Sequence, residues 1–325
     1  MNDLETLRKR WLAERPVYRD LCERVKGILE TEVRRRGVPC ILQASPKEVA
    51  SFLKKALRKG YSNPYEEIRD KAGVRVVCTY YDSLVDLEGV VRDCFVVHSH
   101  ENKTLGLEYD QLGYLGIHFE VSLPEGMLEP DDKHRGLICE IQLHTRAQNL
   151  WADISHELSY KPSQPPPTEV KRSIYRLVAL VEIFDDAVAE ARKEMLSRPA
   201  FQEARMLEQL DRHFYRFTAK PYDRELSLGM LSGLQTLLSE DEVSGFGPLL
   251  DRFTEQNQEK LEEIFSQYAD DERCNPLLFQ PETLLVFERL EKDVFRLKEI
   301  WGDLLPLDLL ESLATIWGKS VSTND

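Results

Sequence analysis

Glu140, Gln142 and His144 alternate with Cys139, Ile141 and Leu143, the period-two pattern of a strand with one polar and one apolar face. Leu137 extends the apolar set, and Ile138 is the one apolar side chain on the polar face. Thr145 and Gln148 have the spacing of a capping box, so a helix is expected to start there. On that helix Asn149, Asp153 and His156 fall one and two turns apart on the same side. Two carboxylates, two amides and two imidazoles therefore converge near one strand-to-helix junction. An amide offers both a donor and an acceptor, and a carboxylate can hold a cation or take a proton. A half-exposed strand with a solvated outer face has the same pattern.

Two other groups have useful chemistry. Asp70 stands just before the strand expected over residues 74–80, where a carboxylate can face a cleft. Lys47, Ser51 and Lys55 are spaced by four and share a face of the helix expected from Ser45, its cap, through Pro46 at its first position to Gly60. Two amines and a hydroxyl in line suit a polyphosphate; a solvated basic face looks alike.

The elements that must position these groups follow from the same periodicities. Residues 5–36 form a long helix, ended by Gly37 and Pro39. A helix is expected over 83–92 and a strand over 94–98. A polar loop follows over 99–113. The next strand, 116–123, carries His118, Glu120 and Ser122 on one face, and a second loop spans 124–135. The run 162–167, Pro-Ser-Gln-Pro-Pro-Pro, reads as a stiff linker. It divides a first domain, 1–161, from a helical C-terminal region, 168–325. Helices there are expected near 201–217, 224–238, 247–267, 282–300 and 307–317.

The chain has 325 residues, 42% of them apolar, and a net charge of −14. Nineteen Lys/Arg against 31 Asp/Glu in residues 163–325 carry −12 of that charge, which excludes a general nucleic-acid-coating role for that half. None of the six cysteines forms a Cys-x-x-Cys pair; buried thiols are expected, with Cys78, Cys94 and Cys139 in strands. The N-terminus lacks the order of a signal peptide, and no apolar run has the length of a membrane span. A reduced, cytoplasmic protein is expected.

Five blocks in order carry a family resemblance: Lys47-x-x-x-Ser51-Phe52-x-x-Lys55; Asp70-Lys71-Ala72-Gly73-Val74-Arg75-Val76-Val77; Gly113-Tyr114-x-x-Ile117-His118; Glu140-Ile141-Gln142-x-x-Thr145; and Trp151-Ala152-x-x-x-His156-x-Leu158-x-Tyr160-Lys161. Together they resemble the RelA/SpoT synthetase domain over about residues 40–161. The resemblance implies an α+β, nucleotidyltransferase-like mixed sheet flanked by helices, here followed by an all-α region. It also implies a (p)ppGpp synthetase, an ATP:GTP 3′-diphosphotransferase that moves the β,γ-pyrophosphate of ATP to the 3′-hydroxyl of GDP or GTP and releases AMP. Attack at the β-phosphorus builds negative charge, which calls for Mg²⁺ and fixed cations. Asp70 and Glu140 resemble the family's catalytic, Mg²⁺-holding carboxylates. Lys47, Ser51, Lys55, Arg75 and His118 match positions that bind ATP. Tyr114, Gln142 and Asn149 match positions that bind the acceptor nucleotide. Association into a homo-oligomer through the C-terminal helices is expected by analogy.

The chain departs from the family pattern at three places. Ser45 stands where an arginine is usual, Leu115-Gly116 stands where Arg-Ser is usual, and His144 replaces another common arginine. Each lost arginine removes a planar, permanently charged donor; Arg58, Lys59 and Lys103 are candidate substitutes. None of the seven histidines precedes an aspartate, so the His-Asp pair of the family's hydrolase domain is missing. Two alternatives stay open: the same chemistry on an adenosine nucleotide or a tRNA 3′ end, and a degenerate nucleotide-binding module without catalysis.

Overall fold

The computed structural model describes residues 4–59, 61–102, 116–158, 167–198, 201–269, 271 and 275–321. They divide into two compact units, Met1–Val33 with Val38–Ala191 and Arg34–Gly37 with Arg192–Asp325. The division cuts two helices, after Val33 and after Ala191, and does not fall at the proline-rich run 162–167.

The first unit is built on a five-stranded mixed sheet of order β1-β2-β5-β4-β3. Its strands are β1 (Cys40–Pro46), β2 (Ala72–Cys78), β3 (Val96–Asn102), β4 (Ile117–Ser122) and β5 (Cys139–Thr145). Only the central β2–β5 pair is parallel; the other neighbours run antiparallel. Val74, Val76, Ile141, Leu143, Phe119 and Val121 fill one face and are almost fully buried. Each such side chain contributes about 1.5–3 kcal/mol on burial. The helices α1 (Leu4–Arg35) and α4 (Ser83–Cys94) supply Leu21, Val25, Leu29, Leu84, Leu87 and Val91 to the same core. The opposite face keeps Ser45, Arg75, Glu140, Gln142, His118 and Glu120, as their cross-strand register requires.

The segment 45–48 differs from expectation. Ser45 and Pro46 are not the start of a helix: they pair with Gly73 and Ala72 in β1, and α2 begins only at Val49 and runs to Lys59. Proline fits there because it ends an edge strand, where a missing N–H leaves no ladder bond unmade. Two smaller differences occur nearby. β3 extends to Asn102, into the expected loop, and Cys94 closes α4 instead of opening the strand. The rest of that loop, residues 103–115, lies outside the described residues.

The helix α5 (Arg146–Leu158) starts as its cap predicts: Thr145 Oγ accepts from the Gln148 amide at 3.0 Å, and Gln148 Oε1 accepts from the Thr145 amide at 3.1 Å. The first part of α6 (Thr168–Ser197) packs in the same unit. Ile174 and Val178 close on Trp151, and Asp185 accepts a 2.8 Å hydrogen bond from Thr145. These contacts explain why the unit extends past the proline-rich run. The short helix α3 (Pro64–Glu67) leads into Asp70.

The second unit is helical: α7 (Gln202–Phe217), α8 (Arg224–Leu234), α9 (Glu240–Ser244), α10 (Phe246–Gln256), α11 (Gln258–Gln267), α12 (Thr283–Lys292), α13 (Val294–Leu304) and α14 (Leu307–Ile316). Two expected helices are each split in two. Asn257 separates α10 from α11, and Asp293 caps α13 by accepting from the Arg296 amide. Such side chains compete with the helix backbone and favour caps. Leu210, Phe214, Leu250, Phe265, Phe287, Trp301 and Trp317 form its core. Among the described residues no helix is long and apolar enough to cross a membrane.

Candidate functional site

Asp70 lies two residues before β2, and Glu140 is the second residue of β5. The parallel register pairs Gly73 with Glu140, so both carboxylates stand at one end of the polar sheet face. The turn after β1 brings Lys47 to the same end. Its amide donates to the Lys71 carbonyl at 2.8 Å, and its own carbonyl accepts from Trp11 Nε1 and Arg15 Nε, each at 3.2 Å. With both backbone groups tied down, the Lys47 ammonium reaches Asp70 Oδ2 at 2.7 Å. Lys55, from α2, reaches the same oxygen at 2.8 Å.

The electrostatics follow from those contacts. Burial pushes the Asp70 carboxyl up, but the two ammonium groups outweigh it and hold the group below its usual range. Asp70 Oδ1 is buried with no hydrogen-bond partner. Glu140 is gripped at both oxygens. The His118 ring faces Oε1 from Nδ1 at 3.0 Å, and Gln142 Nε2 donates to Oε2 at 2.7 Å. Burial raises this carboxyl too, while His118 and Gln142 lower it more; the charge of Asp70 pushes it back up. The Asp70 and Glu140 side chains are 22% and 23% exposed, so neither is sealed inside.

Farther along the face, Arg75 donates to Asn149 Oδ1 at 3.1 Å and pairs with Asp153 at 2.8 Å. Arg75, Asn149 and Asp153 thus share one cluster. Ser51 is exposed on α2, and no hydrogen bond to the carboxylates is described for it. Ser45 is exposed on the polar face beside Arg75's strand, and Arg58 is exposed on α2. Tyr114, Leu115 and Lys103 lie outside the described residues, as do the side chains of Lys59 and His156.

His144 is the main difference from the expected polar face: its ring is fully buried. The cause is Gly116, whose φ is +136° and whose missing Cβ would lie 2.4 Å from the His144 ring. A side chain at position 116 would meet the His144 ring. The His144 ring in turn meets the His118 ring edge-on, with centroids 6.1 Å apart.

Two pairings escaped the sequence reading. Glu120 sits directly across from Glu140 in the β4–β5 register, and Arg69 pairs with it at 3.0 Å. Like charges opposite one another are destabilising, so a cation was required there; the requirement is legible only once strand order is known. Asp153 was on the correct helix face, but its partner Arg75 lies on another strand.

Residues 44–165 match the family described as the region found in RelA / SpoT proteins. The chain is 31% identical over 153 residues to the GTP pyrophosphokinase YjbM of Bacillus subtilis (strain 168), covering 46% of this chain and 70% of that protein. It is 23% identical over 211 residues to the GTP pyrophosphokinase YwaC of the same organism, covering 60% of this chain and 96% of that protein. Among solved structures, the small alarmone synthetase 1 from Bacillus subtilis is similar at 28% identity and a TM-score of 0.48, over 58% of this chain and 100% of that one.

Proposed function

Since this chain belongs to the RelA/SpoT family of GTP pyrophosphokinases, we propose that it is a (p)ppGpp synthetase that carries the β,γ-pyrophosphate of ATP to the 3′-hydroxyl of GDP or GTP. The observation that supports this reading most is the carboxylate pair: Asp70, held by two lysines, and Glu140, held by a histidine and an amide, at one open end of a sheet face.

In the proposed reaction the acceptor's 3′-oxygen bonds to the β-phosphorus of ATP. The bond from that phosphorus to the α–β bridging oxygen breaks, and AMP leaves with the electron pair. The 3′-hydroxyl proton passes to Glu140, whose lowered pKa leaves it ionised and able to accept. Lys47 and Lys55 exchange their bonds to Asp70 for bonds to the phosphates, where ammonium groups serve as point charges. Arg75, steadied by Asp153, lies against the adenosine end. Gln142 and Asn149 face the acceptor, and Tyr114, outside the described residues, is the expected partner of its base.

A divalent cation fits the donor set. Mg²⁺ prefers one or two carboxylates completed by substrate phosphates and water, and Asp70 offers a buried oxygen with no partner. Asp70 and Glu140 would hold it, and when bound it would neutralise charge developing on the transferred phosphates. Among the described residues no group of three or more His, Cys, Asp or Glu side chains is arranged to hold a metal.

Incubation with labelled ATP, Mg²⁺ and GDP, GTP, AMP or tRNA in turn tests the reading. Label on GDP or GTP supports it. Label only on AMP or tRNA moves the acceptor, and binding without transfer leaves a nucleotide-binding module. Self-association is part of the proposal, supported by the exposed Leu180, Ile183 and Phe184 on α6; a monomer by light scattering would remove it.

A further inference from the structure

Glu140 is held by side chains that the family pattern assigns to nucleotides. His118 Nδ1 lies 3.0 Å from one carboxylate oxygen and Gln142 Nε2 lies 2.7 Å from the other. An ionised carboxylate only accepts hydrogen bonds, so the proton between His118 and Glu140 belongs to Nδ1. The ring has little freedom. His118 is 8% exposed on β4, opposite Gln142 in the register, so imidazole, amide and carboxylate come from adjacent positions of two paired strands. Behind the imidazole stands the fully buried ring of His144, edge-on at 6.1 Å. His144 keeps that place because Gly116 has no Cβ to displace it.

We propose that His118 is a positioning residue for Glu140: its Nδ1–H fixes one oxygen of the carboxylate, Gln142 fixes the other, and His144, admitted by Gly116, backs the His118 ring. This rests on the function proposed above and gives His118 a different task from contact with ATP. A carboxylate held at both oxygens presents its remaining lone pairs in one direction. That pre-organisation acts on the chemical step and not on nucleotide affinity.

The test compares His118→Ala, His118→Asn and His118→Gln in the full chain. The Asn amide can sit where Nδ1 sits, whereas the Gln amide reaches toward the position of Nε2. His118→Ala is expected to lower kcat roughly 10–100-fold, the usual cost of losing a group that orients a functional carboxylate. KM for ATP and GDP, and the Kd of a non-hydrolysable ATP analogue, should stay within about twofold. His118→Asn should recover most of the lost rate and His118→Gln should not. If the Ala variant does not fold, the Asn and Gln variants alone decide.

A rise in ATP KM and analogue Kd with kcat unchanged would make His118 an ATP ligand and overturn the proposal. Equal rates for Asn and Gln would also overturn it. If the unaltered protein transfers label to no acceptor, the functional reading fails by itself. The pairing is then read from thermal unfolding of His118→Ala, Glu140→Gln and the double variant. Tm losses that fall short of additivity support the pairing, and strictly additive losses end it.

Discussion

The polar end of the sheet and the charged cluster of the helical unit use the same residue types for opposite purposes. In the helical unit Arg289, 3% exposed at its side chain, bonds to Glu242 at 2.9 Å, to Glu288 and to the Leu237 carbonyl. Arg289, with Lys292, also holds the Glu242 carboxyl far below its usual range. At the sheet, Asp70 and Glu140 are likewise lowered by their neighbours. A depressed carboxylate is therefore no mark of a site. The difference lies in closure. The Arg289 guanidinium is enclosed by its acceptors, whereas Asp70 keeps a buried oxygen without a partner beside a second part-exposed carboxylate. The closed network ties α9 to α12; the incomplete one leaves room for a ligand's charge.

The largest expected effect breaks this contrast directly. Asp70→Asn or Glu140→Gln should cut pyrophosphate transfer by at least roughly 10²–10³-fold with the fold intact. Glu242→Gln should leave the transfer rate unchanged and cost about 1–3 kcal/mol of stability, because it leaves a buried guanidinium short of an acceptor. Steady-state rates and chemical denaturation of the same preparations give both numbers. Next in size, Lys55→Ala should raise the ATP KM roughly tenfold, the loss of one charge-assisted bond, without changing the GDP KM. Lys292→Ala, which removes an ammonium from the closed cluster, should change neither.

The pH dependence sharpens the comparison because the signs differ. Burial raises the Glu282 carboxyl, in the helical unit, from 4.5 to about 7. A raised acid contributes stability that is fully present below pH 4.5 and lost as pH climbs through 7, in total about 3 kcal/mol. Glu282→Gln should erase that loss, so the variant overtakes the unaltered protein near neutral pH. Asp70 is lowered, so its contribution is present above the ordinary aspartate range and disappears as pH falls through its folded pKa. The stability difference between the unaltered protein and Asp70→Asn should therefore shrink on acidification. Denaturant unfolding of the three proteins between pH 3.5 and 8 checks both directions. The smallest effect is Gln148→Ala, which opens the capping box of α5 and should cost about 1 kcal/mol in the same assay.

Much of the first unit was legible from local pattern. The long first helix, the strand-to-helix junction at Thr145, and the grouping of Glu140 with Gln142 all depend on residues close in sequence. The site's pairings were less legible because they join distant segments. Lys47 and Lys55 meet at Asp70 across a strand and a helix, Arg75 meets Asp153 across 78 residues, and Glu120 faces Glu140 only once β4 is set beside β5. Ser45-Pro46 misled because a helix start and a strand end both accept proline, and only pairing with β2 decides between them. His144 misled in exposure and not in face: alternation places it on the side of Gln142, but its ring is buried, and the glycine that makes room for it lies just before β4, distant in sequence. In the helical unit the periodicity found the helices and missed their breaks, which Asn257 and Asp293 impose locally.

The most direct test of the carboxylate pair is transfer of label from γ-labelled ATP to GDP, with AMP measured in the same reaction. The unaltered protein should yield labelled ppGpp and AMP in equal amounts, and neither Asp70→Asn nor Glu140→Gln should yield either above background. Undiminished product from either variant would contradict the assignment of Asp70 and Glu140 as the centre of the reaction.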